Sequence, residues 1–137
     1  MMNKVCVVYW SGTGNTQAMA EAVAKAAEAR LIPSADFSAD QVAEYDAIAF
    51  GCPAMGAEVL EEDEFQPLFD ACKPALSGKK IALFRSYGWG DGEWMRSWEA
   101  DCEEAMVNLV CESVICMAAP DDTAIEACKA LGKAVAG

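Results

Sequence analysis

Residues 4–16 read KVCVVYWSGTGNT, and this stretch decides the fold. Its first part, Lys4 to Trp10, is a short and nearly continuous apolar run, which is typical of a strand buried in a parallel sheet. The glycines that follow predict a tight turn. An apolar stripe at helical spacing then predicts a helix, with Met19, Ala22, Val23 and Ala26 on its buried face. Strand, turn and helix together make the first βα unit of an α/β domain.

The same alternation of short apolar runs and longer helical patterns continues along the chain. Further strands are predicted at residues 31–37, 46–52, 80–86 and 107–117, and the strand at 31–37 should lie at an edge because Pro33 cannot donate to a central ladder. Four further helices are predicted. The first is short and starts at the capping-box pair Ser38 and Gln41. The others are a helix whose core face is Phe65, Leu68, Phe69, Cys72 and Leu76, and helices over residues 94–106 and 123–135. Sequential βα units with right-handed crossovers predict an α/β fold, a doubly wound five-stranded parallel sheet in the order 2-1-3-4-5 with helices on both faces.

Composition limits what such a chain does. Its 137 residues, 54% of them hydrophobic, suffice for one domain over residues 1–137. A net charge of -12 disfavours nucleic acid and anionic membranes, and it favours partners with a basic patch. The run Val5 to Trp10 is too short for a signal peptide and no later run spans a bilayer, so we expect a soluble, cytoplasmic protein. We also expect it to be a monomer.

Cysteine and histidine usage constrains the chemistry. The seven cysteines include no C-x-x-C spacing and histidine is absent, so no metal site is expected. Cys6, Cys52, Cys116 and Cys128 lie in apolar stretches, and we expect them to be packed thiols. Because acid–base and nucleophilic catalysis depend on histidine or on a cysteine activated by it, a bound cofactor must carry any chemistry.

The glycine-rich turn after the first strand has the composition of a phosphate site. Glycines let the backbone curl so that several N–H groups point inward, and the helix start adds partial positive charge. The turn lacks the lysine of a nucleotide-binding P-loop, and Gln17 replaces the last glycine of a dinucleotide fingerprint, so a monophosphate is the expected ligand. The alternative is that the turn only caps the helix. The residues concerned are Ser11, Gly12, Thr13, Gly14, Asn15 and Thr16.

Two further loops follow the third and fourth predicted strands. Residues 51–58 read GCPAMGAE and residues 86–94 read SYGWGDGEW. Met55 in one loop and Trp89 in the other suit a flat ring held between them, with glycine backbone reaching its polar edge. Taken alone, either side chain is more often ordinary packing.

The three segments YWSGTGNT, GCPAMGAE and SYGWGDGEW together resemble the cofactor loops of short-chain flavodoxins from anaerobic bacteria. The resemblance implies the flavodoxin fold and one non-covalently bound FMN. It implies that residues 11–16 and Ser86 hold the phosphate, that Met55 and Trp89 cover the two ring faces, and that Glu58 accepts from flavin N3–H. The full implied set is Ser11, Gly12, Thr13, Gly14, Asn15, Thr16, Ala54, Met55, Gly56, Ala57, Glu58, Ser86, Tyr87, Gly88, Trp89, Gly90 and Gly92.

The same resemblance implies a function. It predicts a low-potential one-electron carrier that shuttles between oxidised, semiquinone and hydroquinone flavin and has no substrate of its own. Its partners would be redox enzymes with basic docking patches, both reductase donors and low-potential acceptors. An FMN-dependent NAD(P)H or quinone reductase is the alternative, and a flavin-free receiver domain is disfavoured because Tyr9 to Ser11 replace the acidic cluster it needs. The chain departs from the family at Arg85, where glycine is frequent, at Ala57, and at Met117 to Ala119.

Overall fold

A computed structural model describes residues 4–10, 14–52, 65–76, 78–87, 93–105, 107–110, 113–117 and 121–136. Strands and helices alternate through these ranges as the apolar periodicity predicts. The strands are β1 Val5–Tyr9, β2 Arg30–Pro33, β3 Ala47–Gly51, β4 Lys80–Tyr87, β5 Asn108–Leu109 and β6 Val114–Met117. The helices are α1 Asn15–Ala27, α2 Phe65–Cys72, α3 Glu93–Glu104 and α4 Asp122–Ala136.

All strand pairs in the sheet are parallel, in the order β2-β1-β3-β4-β5, and β6 also pairs with β4. This confirms the predicted order 2-1-3-4-5 and the edge position of the strand that contains Pro33. Order reverses between β1 and β3, since the chain first runs outward to β2 and then returns to the other side of β1. In sheets of this kind, ligands bind outside the carboxyl ends of the strands at that reversal.

The predicted continuous strand over residues 107–117 is wrong in its middle. Asn108 and Leu109 pair with Lys80 and Ile81, whereas Val114 pairs with Phe84. From Ile81 to Phe84, β4 advances by three residues, whereas its partner advances by five, from Leu109 to Val114. The partner segment therefore has two residues more than can pair with β4 in this interval. The apolar run carries no sign of this shift, because register depends on the partner strand.

The second predicted strand is also shorter than expected. It ends at Pro33, and a 3₁₀ turn at Ser34–Asp36 follows instead of more strand, whereas the predicted short helix after Ser38 is present as a 3₁₀ helix at Ala39–Glu44. Phe37 lies beyond the end of this strand and is only 5% exposed. Its ring packs in the core against Tyr45, with ring centroids 6.3 Å apart. The capping contact itself forms, since the Ser38 N–H donates to Gln41 Oε1 at 2.8 Å.

Side chains from the two sheet faces form two cores. One face packs under α2 and α3, and there the predicted helix positions Phe65, Phe69, Cys72 and Leu76 are fully buried while Leu68 is partly buried. The other face packs under α1 and α4. Predicted packed thiols are confirmed at Cys6, Cys52 and Cys128, whereas the side chain of Cys116 lies outside the described part of the structure.

Close packing of α4 on α1 holds the first helix in place. A Cβ at Gly132 would lie 2.5 Å from the Val23 carbonyl oxygen, so any larger residue would push the two helices apart. On α1, Met19 and Val23 are fully buried and Ala22 is also buried, which confirms three positions of the predicted apolar stripe, while Ala26 is partly buried. Within the described ranges, no helix has the length and apolar character needed to cross a membrane.

Glu28 ends α1 in a left-handed conformation, with φ 52° and ψ 44°. A side chain with a Cβ is strained there, and a carboxylate also opposes the negative end of the helix dipole. We therefore expect Glu28→Gly to raise the free energy of unfolding by roughly 0.5 to 1 kcal/mol. Urea unfolding followed by circular dichroism would measure it.

Glu21→Gly is the matched control for this change. Glu21 is exposed on the same helix but has helical backbone, so the same substitution should destabilise by about 1 kcal/mol. Equal losses at both positions would show that strain at Glu28 is negligible.

Candidate functional site

β1 and β3 end side by side at the carboxyl edge of the sheet, and the neighbouring β4 continues three residues further, from Phe84 opposite Gly51 to Tyr87. The Trp10 N–H donates to the Gly51 carbonyl at 3.0 Å, and the Cys52 N–H donates to the Phe84 carbonyl at 3.3 Å. These bonds continue the ladder one step past β1 and β3. They place the starts of the first two predicted cofactor loops where strand order reverses, which is the ligand-binding position of this fold class, and the third loop leaves the adjacent strand β4.

Gly14, the described residue before α1, has a backbone conformation that suits the predicted phosphate turn. Gly14 is the N-cap residue, with φ 93°, a left-handed conformation that glycine adopts without strain. Its carbonyl accepts the first helical bond, from the Ala18 N–H at 3.0 Å. Thr16, in the first helical turn, is fully buried although it is polar. The predicted residues Gly14, Asn15 and Thr16 are thus brought to the start of a helix at the carboxyl edge.

A comparison with α4 shows that the start of α1 is suited to an anion. The start of α4 is occupied by its own chain, because Asp121 Oδ1 accepts from the Ala124 N–H at 2.8 Å and Asp122 lies in the first turn. The first turn of α1 contains no acidic residue, and glycine offers no capping side chain. Because the positive end of the helix dipole is not met there by a first-turn carboxylate, a phosphate fits this end of α1.

The other predicted cofactor residues are described only in part. Ser86 and Tyr87 end β4, where their backbones pair with Cys116 and Met117 of β6. This puts the chain at the carboxyl edge just before the third predicted loop. The remaining predicted residues lie outside the described ranges, and their roles stay predictions: Ser11, Gly12, Thr13, Ala54, Met55, Gly56, Ala57, Glu58, Gly88, Trp89, Gly90 and Gly92.

Arg85 lies near this edge, at a position that was predicted only to depart from the family pattern. It is 1% exposed, and its Nε donates to the Cys52 carbonyl at 3.2 Å. Burial lowers the pKa of its guanidinium to about 10, which leaves it protonated at neutral pH. Strand alternation in the sequence indicates that the Arg85 side chain is buried, since Ile81, Leu83 and Arg85 share one face of β4 and the first two are core residues.

Aromatic rings of β3, α2 and α3 pack against one another on the same side of the sheet as Arg85. Phe50 of β3 meets Phe69 edge-to-face with centroids 5.1 Å apart, and Phe69 meets Trp98 of α3 in the same way at 5.4 Å. Such pairs add about 0.5 to 1.5 kcal/mol each beyond the area they bury. They join β3, α2 and α3, the elements on which the second and third predicted loops begin or end.

Comparisons with known proteins agree with this geometry. The family model described as Flavodoxin matches residues 7–131. The chain is 45% identical over 135 residues to a flavodoxin from Megasphaera elsdenii, covering 95% of this chain and 96% of the relative. It is 44% identical to a flavodoxin from Clostridium beijerinckii, covering 95% and 97%.

A solved structure agrees as well. The solution structure of two-electron reduced Megasphaera elsdenii flavodoxin superposes with a TM-score of 0.87 at 43% identity, covering 96% of this chain and 98% of that one. Strand order, the glycine-capped start of α1 and these similarities lead to one assignment. This chain belongs to the flavodoxin family and is an FMN-binding electron carrier.

Proposed function

We propose that this protein carries single electrons at low potential and has no substrate of its own. The observation that carries the proposal is the glycine-capped start of α1, where Thr16 is buried and no acidic residue occupies the first turn. Backbone N–H groups and a hydroxyl are the donors that a phosphomonoester takes, so the residues present fit the FMN phosphate. Bound FMN supplies the ring that accepts and releases the electrons.

The cofactor proposal assigns the three loops to parts of FMN. Residues 11–16 bind the phosphate, with help from Ser86. Met55 and Trp89 cover the ring, and Glu58 accepts from its N3–H. The glycines near the ring bring backbone N–H groups to its polar edge. What supports this assignment is that the ends of β1 and β3 are hydrogen-bonded side by side, and that the residue after β3 is bonded to Phe84 of the neighbouring β4, from whose end the third loop leaves.

The purified protein should contain one FMN per chain. We expect a yellow protein whose flavin is released by acid and has the mass of FMN, at a molar ratio near one to one. A single phosphate site without the dinucleotide fingerprint is the reason to expect FMN and not FAD. Recovery of FAD, or a colourless protein that ignores added FMN, would contradict the proposal.

A steady-state assay separates the carrier from the reductase alternative. A carrier without a substrate pocket should oxidise NAD(P)H in the presence of a quinone no faster than free FMN does. It should, however, accept electrons from a reduced flavoprotein reductase. Sustained NAD(P)H turnover by the protein alone would favour the reductase.

The proposal extends to partners and location. The net charge of -12 suits transient docking on basic patches of cytoplasmic redox enzymes, with the chain acting as a monomeric one-domain carrier. Association steered by charge slows steeply with ionic strength. The rate of electron uptake from a basic partner should therefore fall as salt rises, and an unchanged rate would count against charge-guided docking.

A further inference from the structure

A buried cation stands at the carboxyl end of β4. The side chain of Arg85 is 1% exposed, although arginine is among the residues least often buried. It lies on the same face of β4 as Ile81 and Leu83, which belong to the core under α2 and α3. Burying a charge carries a large desolvation penalty, which contacts with the protein must offset.

Two described groups hold the guanidinium. Its Nε donates to the Cys52 carbonyl at 3.2 Å, and its Cζ lies 5.5 Å from the centroid of the Trp98 ring. The first contact is a charge-assisted hydrogen bond and the second is a cation–π contact. The face of the Trp98 ring contacts Arg85, and the Trp98 Nε1 is buried without a hydrogen-bond partner among the described residues.

These contacts put the charge beside the proposed flavin site. Cys52 follows the last residue of β3, and the proposed ring-contacting segment begins at Ala54. Two residues of chain span at most about 8 Å. Arg85 itself directly precedes Ser86, where the other proposed cofactor loop begins. The guanidinium is thus anchored at the start of both loops.

We propose that the buried positive charge of Arg85 raises the potential at which the cofactor site accepts its second electron, relative to the first. The inference rests on the proposed FMN site and adds a residue that selectively tunes one of its two steps. It concerns the charge of Arg85, with the bond to Cys52 serving to hold that charge in place.

The two electrons differ in their effect on the charge of the site. With FMN bound, the first electron, from an external one-electron donor, would be accompanied by one proton from solvent, so the net charge of the site would be unchanged. The second would arrive without a proton at neutral pH, so the charge would fall by one unit. For unit charges about 10 Å apart at an effective dielectric constant of about 20, attraction changes an equilibrium constant by about tenfold. A nearby fixed cation therefore favours the second step and leaves the first nearly unchanged.

Three variants of Arg85 separate its charge from its hydrogen bond. Arg85→Lys keeps the charge and loses the planar donor. Arg85→Gln loses the charge but keeps an N–H donor for the Cys52 carbonyl. Arg85→Met loses both at similar length. Arg30→Met is the matched control, since Arg30 is an exposed cation on the edge strand β2 and its loss changes the net charge equally.

Both one-electron potentials of each FMN-loaded variant would be measured by spectroelectrochemical titration, with bound flavin verified by absorbance. We expect Arg85→Gln and Arg85→Met to lower the second equilibrium constant about tenfold relative to the first, which is about 59 mV for one electron. Arg85→Lys should retain most of the wild-type difference, and Arg30→Met should match wild type.

Other outcomes would overturn the inference. If Arg85→Gln behaves as wild type while Arg85→Lys does not, the hydrogen bond and not the charge is what matters. Equal shifts in Arg85→Gln and Arg30→Met would reduce the effect to net charge. The comparison of Lys with Gln decides the question even if Arg85→Met fails to fold. A wild-type protein that binds no FMN is a distinct result, and it refutes the proposed function.

Discussion

Replacing Thr16 with valine should weaken FMN binding by about 10- to 150-fold. The two side chains have nearly the same shape, so the change removes a hydroxyl from a fully buried position at the start of α1. A hydrogen bond to a charged phosphate is worth about 1.5 to 3 kcal/mol, which corresponds to that loss of affinity. Fluorescence titration of the apoprotein with FMN would measure it, because flavin emission changes on binding.

Two controls make this result specific to the phosphate. Riboflavin lacks the phosphate, so its affinity should be nearly equal for wild type and Thr16→Val. Thr123→Val is the matched variant, since Thr123 is the second residue of α4 just as Thr16 is the second residue of α1, but it is exposed on a helix capped by Asp121. Parallel losses of FMN and riboflavin affinity in Thr16→Val would assign Thr16 to loop structure and not to phosphate binding.

The folded protein should lose about 4 kcal/mol of stability between pH 8 and pH 10. Cys6, Cys72 and Cys102 are fully buried, and burial raises the pKa of these thiols from 9.0 to about 12, 11 and 12. Above pH 9 the unfolded chain releases these protons while the folded chain retains them. Stability is therefore complete below pH 9 and falls as the pH rises toward 11 to 12, by about 1.4 kcal/mol per thiol per pH unit.

Urea unfolding of the apoprotein across this range would measure the loss. On heating, the expected fall in Tm from pH 8 to pH 10 is about 10 to 15 °C. The double variant Cys6→Ala/Cys102→Ala should show a slope smaller by two protons, whatever its absolute stability. Val8→Ala shortens a fully buried side chain of the same core without removing a titratable group, so it should leave the dependence of stability on pH unchanged. A double variant with the full wild-type slope would show that other groups cause the alkaline loss.

The stretch at residues 4–16 contains most of the information that defines the first βα unit and the proposed phosphate site. Apolar runs, glycine turns and helical stripes extend over a few residues each, so their meaning is set by local backbone chemistry. That is why β1, α1, the core face of α2 and the strand order agree with expectation. The same local chemistry places Gly14 and Thr16 at the start of a helix.

Features that depend on a distant partner were decided only by the tertiary structure. The break between Leu109 and Val114 follows from pairing with β4, whose register an apolar run does not encode. The burial of Arg85 depends on the Cys52 carbonyl and the Trp98 ring, which come together only when β3 and α3 pack on β4. Local sequence patterns are enough to predict which elements form, in what order, and which turn is proposed to bind a phosphate. Strand register and the burial of a charge depend on the packed fold, because both arise from contacts between residues far apart in the chain.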